Sequence, residues 1–244
     1  MPVYAVTNPK GGQGYHLGLL VLTKTNPFIP GDTANASTYD YPVVFRTVPG
    51  AWSTRVLSGD PELEDVVVQT ARELEAMGVR GISSDCGFFM NYQDAVRKAV
   101  KIPVFMSSLM QLPMIDSILG KDRSIGCVTA NSVKLGNRIL ELTGVPAGRQ
   151  IRVKGLQDMP EWKKTVGEQG PYLDSEKIEA EVVKLAKELQ AEDPKLGAIV
   201  LECSLLPVYA KAVQEATGLP VFDFLNLIDY FERGIFAQER VGHA

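Results

Sequence analysis

The 244-residue chain holds only three cysteines and two histidines, and both scarcities are informative. Cys86, Cys127 and Cys203 are odd in number and too few to build a disulfide framework. His16 and His243 stand near opposite ends and no Cys-x-x-Cys pair occurs, so no zinc ligand set is visible and no metal is expected. Lys/Arg-rich blocks are absent, and 25 basic against 29 acidic residues leave a net charge of -4. A nucleic-acid partner normally needs a concentrated basic face, so none is expected. No apolar run approaches the roughly 18 residues of a membrane span. The opening Met1-Pro2-Val3-Tyr4-Ala5-Val6 lacks a basic region followed by an apolar stretch, so no signal peptide is read there. Together these absences predict a cytoplasmic protein with free thiols and no membrane contact.

What is present is a core. The 45% hydrophobic and 22% charged residues match an ordinary globular protein. Leu17–Thr23, Pro42–Val48, Val79–Ser84 and Ile102–Phe105 read as buried strands, and Ser124–Thr129, Ile151–Val153, Ala198–Leu201 and Leu219–Phe222 as four more. Between them, Pro61–Met77 carries Leu63, Val66, Val67, Thr70, Leu74 and Met77 at helical spacing. Asp60-Pro61 starts that helix and Gly78 stops it. A second helix, Ser175–Gln190, has Asp174 or Ser175 as cap and one apolar stripe through Ile178, Val182, Leu185, Ala186 and Leu189. Strand-helix alternation predicts an α/β fold with parallel sheets. Pro146–Tyr172, rich in glycine, proline and charge, reads as a long loop flanking the site. Lys10-Gly11-Gly12-Gln13-Gly14 suggests a phosphate loop, but it precedes the first strand and lacks the Gly-Lys-Ser/Thr ending.

A repeat is more specific than the alternation. Gly81-Ile82-Ser83-Ser84-Asp85-Cys86 parallels Ala198-Ile199-Val200-Leu201-Glu202-Cys203, each a strand running into an acid and then a cysteine. Pro103 follows Cys86 at the same distance as Pro220 follows Cys203, which points to a duplicated βαβ unit. Ligands in open α/β sheets bind beyond the carboxyl ends of the strands, so the two thiols would face one cleft. Gly87-Phe88-Phe89 and Ser204-Leu205-Leu206 would each open a helix, whose free N–H groups and dipole favour thiolate and a substrate carboxylate. Cys127, inside Ile125–Val128, reads as core filler. Asp85 and Glu202 stay open between orienting the cysteines, serving as extra bases and capping the next helix.

These motifs resemble the aspartate/glutamate racemase superfamily, hydantoin-racemase-like members in particular. Ser84-Asp85-Cys86-Gly87-Phe88-Phe89 is similar to the first cysteine motif, and Leu201-Glu202-Cys203-Ser204-Leu205-Leu206-Pro207 to the second. Pro27–Asp32 and Ile125–Thr129 fit as well. The resemblance runs from about Gly18 to Glu232. It implies two pseudo-symmetric lobes, each a small parallel sheet flanked by helices, with the active-site cleft between them. The lobes would be 1–107, completed by 223–244, and 108–222. It also implies cofactor-independent racemisation or epimerisation: one cysteine, Cys86 or Cys203, takes the α-proton of a small amino acid or related acid and the other returns one to the opposite face. The substrate would bear a carboxyl or amide group. Its contacts would come from Gly87, Phe88, Ser107, Ser108, Thr129, Asn131, Ser132 and Ser204. Thr129 and Ser132 stay open between substrate contact and simple capping. Gly87 stands where amino-acid racemases often have Asn, so the substrate is not specified. Alternatives are a cis-trans isomerase or decarboxylase of a small diacid, or a non-catalytic two-lobed binding protein. Assembly into a homo-oligomer is left open.

Overall fold

A computed structural model describes residues 13–237. The features read at Met1–Val6, Lys10–Gly12 and His243 lie outside those residues. Two all-parallel sheets form the frame. In the first, β1 (Leu17–Thr23) lies between β2 (Val43–Trp52) and β3 (Gly81–Ser84). In the second, β4 (Ser124–Thr129) lies between β5 (Ile151–Gly155) and β6 (Leu196–Leu201), and β7 (Val221–Phe222) extends the β6 edge. Parallel pairing requires crossovers, and helices covering the sheets leave the central strands buried on both faces. Accordingly β3, β4 and β6 are buried at every position and β1 at all but Thr23. This is an α/β architecture of parallel sheets, as the alternation predicts, and the two small sheets are those that the resemblance implies.

The helix signals act as read. The Asp60 carboxylate accepts the Glu62 N–H at 3.0 Å and Pro61 opens a single tight turn. That turn leads into the helix Glu64–Ala76, which buries Val67, Thr70, Ala71 and Leu74. Gly78 ends it at φ +87°, which glycine adopts without strain. Asp174 caps the helix Ser175–Glu192 through the Lys177 N–H, and the apolar stripe from Ile178 to Leu189 is buried. The final helix, Phe224–Ile235, starts in a reciprocal cap between Asp223 and Asn226. It lays Phe224, Leu227 and Ile228 on Leu17, Leu19 and Phe105, and stacks Phe231 on Phe105 with centroids 4.6 Å apart. This helix is thereby fixed to the first sheet, each buried side chain contributing about 1.5–3 kcal/mol.

Three expectations change. Ile102–Phe105 forms only an isolated bridge, Ile82 to Val104, and Leu219–Phe222 shrinks to Val221–Phe222. Pro103 and Pro220 explain both, since each lacks an N–H and offers only its carbonyl, to Ile82 and Ile199, at 2.9 Å. Pro146–Tyr172 is not one loop. It contains edge strand β5, the strand read at Ile151–Val153 and two residues longer, then a helical turn at Pro160–Trp162 running into a π-turn at Lys163–Gly167. Among the described residues, no helix is long and apolar enough to cross a membrane.

Candidate active site

The duplicated segments share two backbone hydrogen bonds. Asp85 N–H donates to Leu20 O at 3.0 Å, and Glu202 N–H to Val128 O at 2.9 Å. The carbonyls of Cys86 and Cys203 accept from Phe89 and Leu206, both at 3.0 Å. Each cysteine thus sits just past the carboxyl end of a strand beside its sheet's central strand, where these sheets bind ligands. Both are buried free thiols, 6% and 7% exposed, and near enough to feel each other's charge. The site is nearly closed to water.

The thiol chemistry needs a correction. Helix N-termini were expected to lower both pKa values, yet both rise: Cys86 well above the usual thiol range and Cys203 to about 12. Burial is the largest cause, followed by the charge of Glu202, joined at Cys86 by Asp85. The turns that follow are short 3-10 segments, Gly87–Tyr92 and Leu206–Tyr209, too weak as dipoles to offset this desolvation. The two sulfurs are also unequal. Two carboxyls oppose each thiolate, Glu202 and Asp32 at Cys203 and Glu202 and Asp85 at Cys86, but Cys203 has both Lys24 and the Leu205 N–H in its favour while Cys86 has only the weaker pull of Lys24.

Lys24 and Asp32 were not singled out from the sequence. Lys24 directly follows β1, and position beyond a strand's carboxyl end was the available signal. Its ammonium stands 3.4 Å from Asp85 Oδ2 and 5.1 Å from the centre of the Phe28 ring. Burial works against that charge, but Asp85, Asp32 and both cysteines outweigh it and hold Lys24 above its usual range. Asp32 is pushed up to about 6 by burial, opposed by Lys24 and by the Ala34 N–H at 2.8 Å. The loop carrying it docks on the second cysteine motif, Thr33 N–H donating to Ser204 O at 3.2 Å. The Thr33 and Ser204 hydroxyls are buried there without a hydrogen-bond partner.

The other residues read from the sequence divide by what they touch. Gly87 packs against the Glu202 carboxyl, while Phe88 is wholly buried in the core of the first sheet. Ser107 caps the turn Ser108–Gln111 by accepting from Leu109 N–H, and Ser108 Oγ donates to Glu202 O at 3.0 Å. Thr129 Oγ1 donates to Glu202 Oε2 at 2.8 Å. Asn131 accepts the Lys134 N–H, and Ser132 is paired through its N–H and hydroxyl to Gln157. A strap ties the sheets together beside Lys24: Thr25 Oγ1 donates to Gln169 O at 2.8 Å, and Gln169 Nε2 to Ser53 Oγ at 3.1 Å. Among the described residues, no cluster of three or more His, Cys, Asp or Glu is placed to hold a metal ion. The arrangement can move protons: two thiols, one buried ammonium and several carboxyls share a desolvated space.

Comparison with known proteins gives this chemistry a family. The chain is 36% identical to the dimethylsulfoniopropionate lyase of Durusdinium sp. clade D over 221 residues, spanning 88% of this chain and 73% of that protein. It belongs to the dimethylsulfoniopropionate lyase family. Dimethylsulfoniopropionate lyase 7 of Emiliania huxleyi is 34% identical over 93% of the chain and 69% of its own length. No protein-family model matches. Among solved structures, allantoin racemase from Pseudomonas fluorescens superposes with a TM-score of 0.61 at 15% identity, covering 90% of each chain. Arylmalonate decarboxylase does so at 0.57 and 16% identity, over 90% of this chain and 92% of its own. The fold is therefore that of the aspartate/glutamate racemase superfamily, and the chain is an enzyme. The relatives overturn the expected racemase or epimerase activity, together with its diacid and binding-protein alternatives, because they are lyases of a sulfonium compound. Paired cysteines on a duplicated fold do not by themselves distinguish inversion from elimination.

Proposed function

We propose that this enzyme is a lyase that cleaves dimethylsulfoniopropionate by β-elimination. The observation that carries the reading is the 36% identity to a dimethylsulfoniopropionate lyase across most of both chains. The substrate has a carboxylate at one end and, on the carbon two removed from it, a positively charged sulfur. A base takes the proton from the carbon next to the carboxylate. The C–H electron pair becomes the new carbon–carbon double bond, and the C–S bond breaks with its pair going to sulfur. Acrylate and neutral dimethyl sulfide result, so the reaction balances with one proton on the enzyme and no electrons lost or gained.

Cys203 suits the base. Its sulfur receives the Leu205 N–H and the field of Lys24, which favour the thiolate that must form. Cys86 stays a thiol, held so by burial and by the charge of Asp85. A neutral leaving group needs no protonation, so the second cysteine is a donor toward the substrate and not a second base. The unpartnered hydroxyls of Ser204 and Thr33 fit the carboxylate end, and the Asp32 carboxylate fits the sulfonium. The hydantoin-racemase-like motifs then describe the scaffold, and the chemistry follows the lyases.

The test is headspace gas chromatography of purified protein with dimethylsulfoniopropionate, with proton NMR of acrylate in the same samples. Equimolar dimethyl sulfide and acrylate, lost in Cys203→Ser, is the expected result. A folded protein that releases neither between pH 5 and 9 overturns the reading.

A further inference from the structure

The pseudo-symmetry that equates Asp85 with Glu202 breaks at one atom. Both acids donate their N–H to the sheet's central strand, and both accept an N–H from the residue two beyond that contact. Leu22 donates to Asp85 Oδ1 at 2.9 Å, and Ala130 to Glu202 Oε2 at 3.3 Å. The second oxygens then differ. Asp85 Oδ2 faces Lys24, forming a buried ion pair. Glu202, one methylene longer, carries its Oε1 across to the other motif, where it rests on Gly87, the residue after Cys86. A Cβ added to Gly87 would overlap Oε1 and stand 2.8 Å from the Glu202 carbonyl oxygen. Oε1 is buried without a hydrogen-bond partner, and no lysine or arginine among the described residues forms an ion pair with it.

We propose that Glu202 is a positioning residue that holds a proton at neutral pH, and that this proton is what permits a thiolate in the cleft. A fully buried carboxylate without a counter-cation costs several kcal/mol, so the neutral acid is favoured. Burial pushes Glu202 up to about 7, against the Thr129 and Ala130 hydrogen bonds and distant Lys24. Oε2 already accepts two hydrogen bonds, which leaves the proton to Oε1. The charged and titratable groups that act on it are Lys24, itself flanked by Asp85 and Asp32, then Cys86 and Cys203 in the two motifs and Cys127 on β4. As a neutral acid, Glu202 lets Lys24 and the Leu205 N–H support one thiolate. Once ionised, it adds a negative charge that raises both thiols. The pairing also accounts for glycine at position 87, since the carboxyl occupies the space a side chain would need.

The inference rests on Cys86 and Cys203 forming the reactive site, and its test needs no sulfonium substrate, so it stands or falls apart from the lyase reading. Alkylation of the folded full-length protein by iodoacetamide is followed from pH 5.5 to 9.5 by peptide mass spectrometry. Wild type is compared with Glu202→Gln, and Cys127, wholly buried, reports global opening. Equal Cys203 rates at pH 5.5 are expected, with the variant about 10-fold faster at pH 9, one unit of thiol pKa corresponding to about tenfold in thiolate. A rate ratio that does not change with pH overturns the proposal, since a purely structural role moves all pH values alike. Should the variant not fold, carbon NMR of wild type labelled at the glutamate carboxyls decides. One carboxyl titrating near neutrality supports the proposal, and none above about pH 6 overturns it.

Discussion

Lys24 Nζ stands 3.4 Å from Asp85 Oδ2, with the lysine side chain 8% exposed and the aspartate fully buried. A cation buried this way offsets more than one anion. Besides Asp85 it favours charge on Asp32 and on both cysteine sulfurs. Lys24→Met leaves Asp85 buried and unpaired, which is expected to cost about 3–5 kcal/mol of stability by urea unfolding at pH 7.5. It also removes the charge that supports the thiolate, so kcat/KM for dimethyl sulfide release is expected to drop at least about 100-fold. Lys24→Met with Asp85→Asn is expected to regain most of the stability and none of the activity. If activity returned with stability, Lys24 would serve the fold alone.

The two cysteines are expected to respond unequally to serine. Elimination needs one base, and the leaving sulfide departs neutral. Cys203→Ser is therefore expected to lower kcat by about 10³-fold or more, whereas Cys86→Ser loses about tenfold. Steady-state rates on both purified variants check this. Equal losses would mean that both sulfurs transfer protons, as inversion at carbon requires.

Much of this was legible in the sequence because strand ends and the duplication are local patterns. Asp85-Cys86 and Glu202-Cys203, with Pro103 and Pro220 at matched distances, located the cysteines and their strands before any contact was known. β1 and β4 were bounded correctly because their buried, apolar runs end in polar loops. Burial of the site was not legible, and it reverses the sign of the thiol shifts, since desolvation depends on what the other sheet brings. Lys24 and Asp32 were missed because each is ordinary in its own segment and acquires its role from residues distant in sequence, Lys24 from Asp85 and both cysteines and the Asp32 loop from the Ser204 turn. Nor could residue types separate a lyase from a racemase, since both begin by taking a proton beside a carboxyl group.

Asp32 gives a pH dependence whose sign is fixed by its shift. Burial raises its carboxyl from 3.8 to about 6, so the folded protein holds a proton that the unfolded chain has released. The corresponding stability is fully present below pH 3.8 and is lost as pH rises through about 6. Asp32→Asn removes that loss. Relative to wild type, its unfolding free energy is expected to improve between pH 4 and pH 8, by up to about 3 kcal/mol. Urea titrations at the two pH values measure the change. An unchanged difference would mean that Asp32 is already ionised in the folded protein at pH 4.

Gly87→Ala tests the close approach between the motifs. The obstacle is space and not backbone conformation, because Gly87 is not among the glycines with positive φ. The added methyl meets two different groups of Glu202: the carboxyl at the end of its side chain and its backbone carbonyl oxygen. The side chain can shift, whereas the carbonyl is held by Ser108 Oγ at 3.0 Å and by its place after β6. Overpacking of this kind typically costs about 1–3 kcal/mol. Gly87→Ala is therefore expected to lower stability by that amount in urea unfolding at pH 6. Adding Glu202→Ala is expected to relieve only the carboxyl part of the clash, so that the two substitutions are non-additive. Strict additivity would place the cost elsewhere in the turn and separate Gly87 from Glu202.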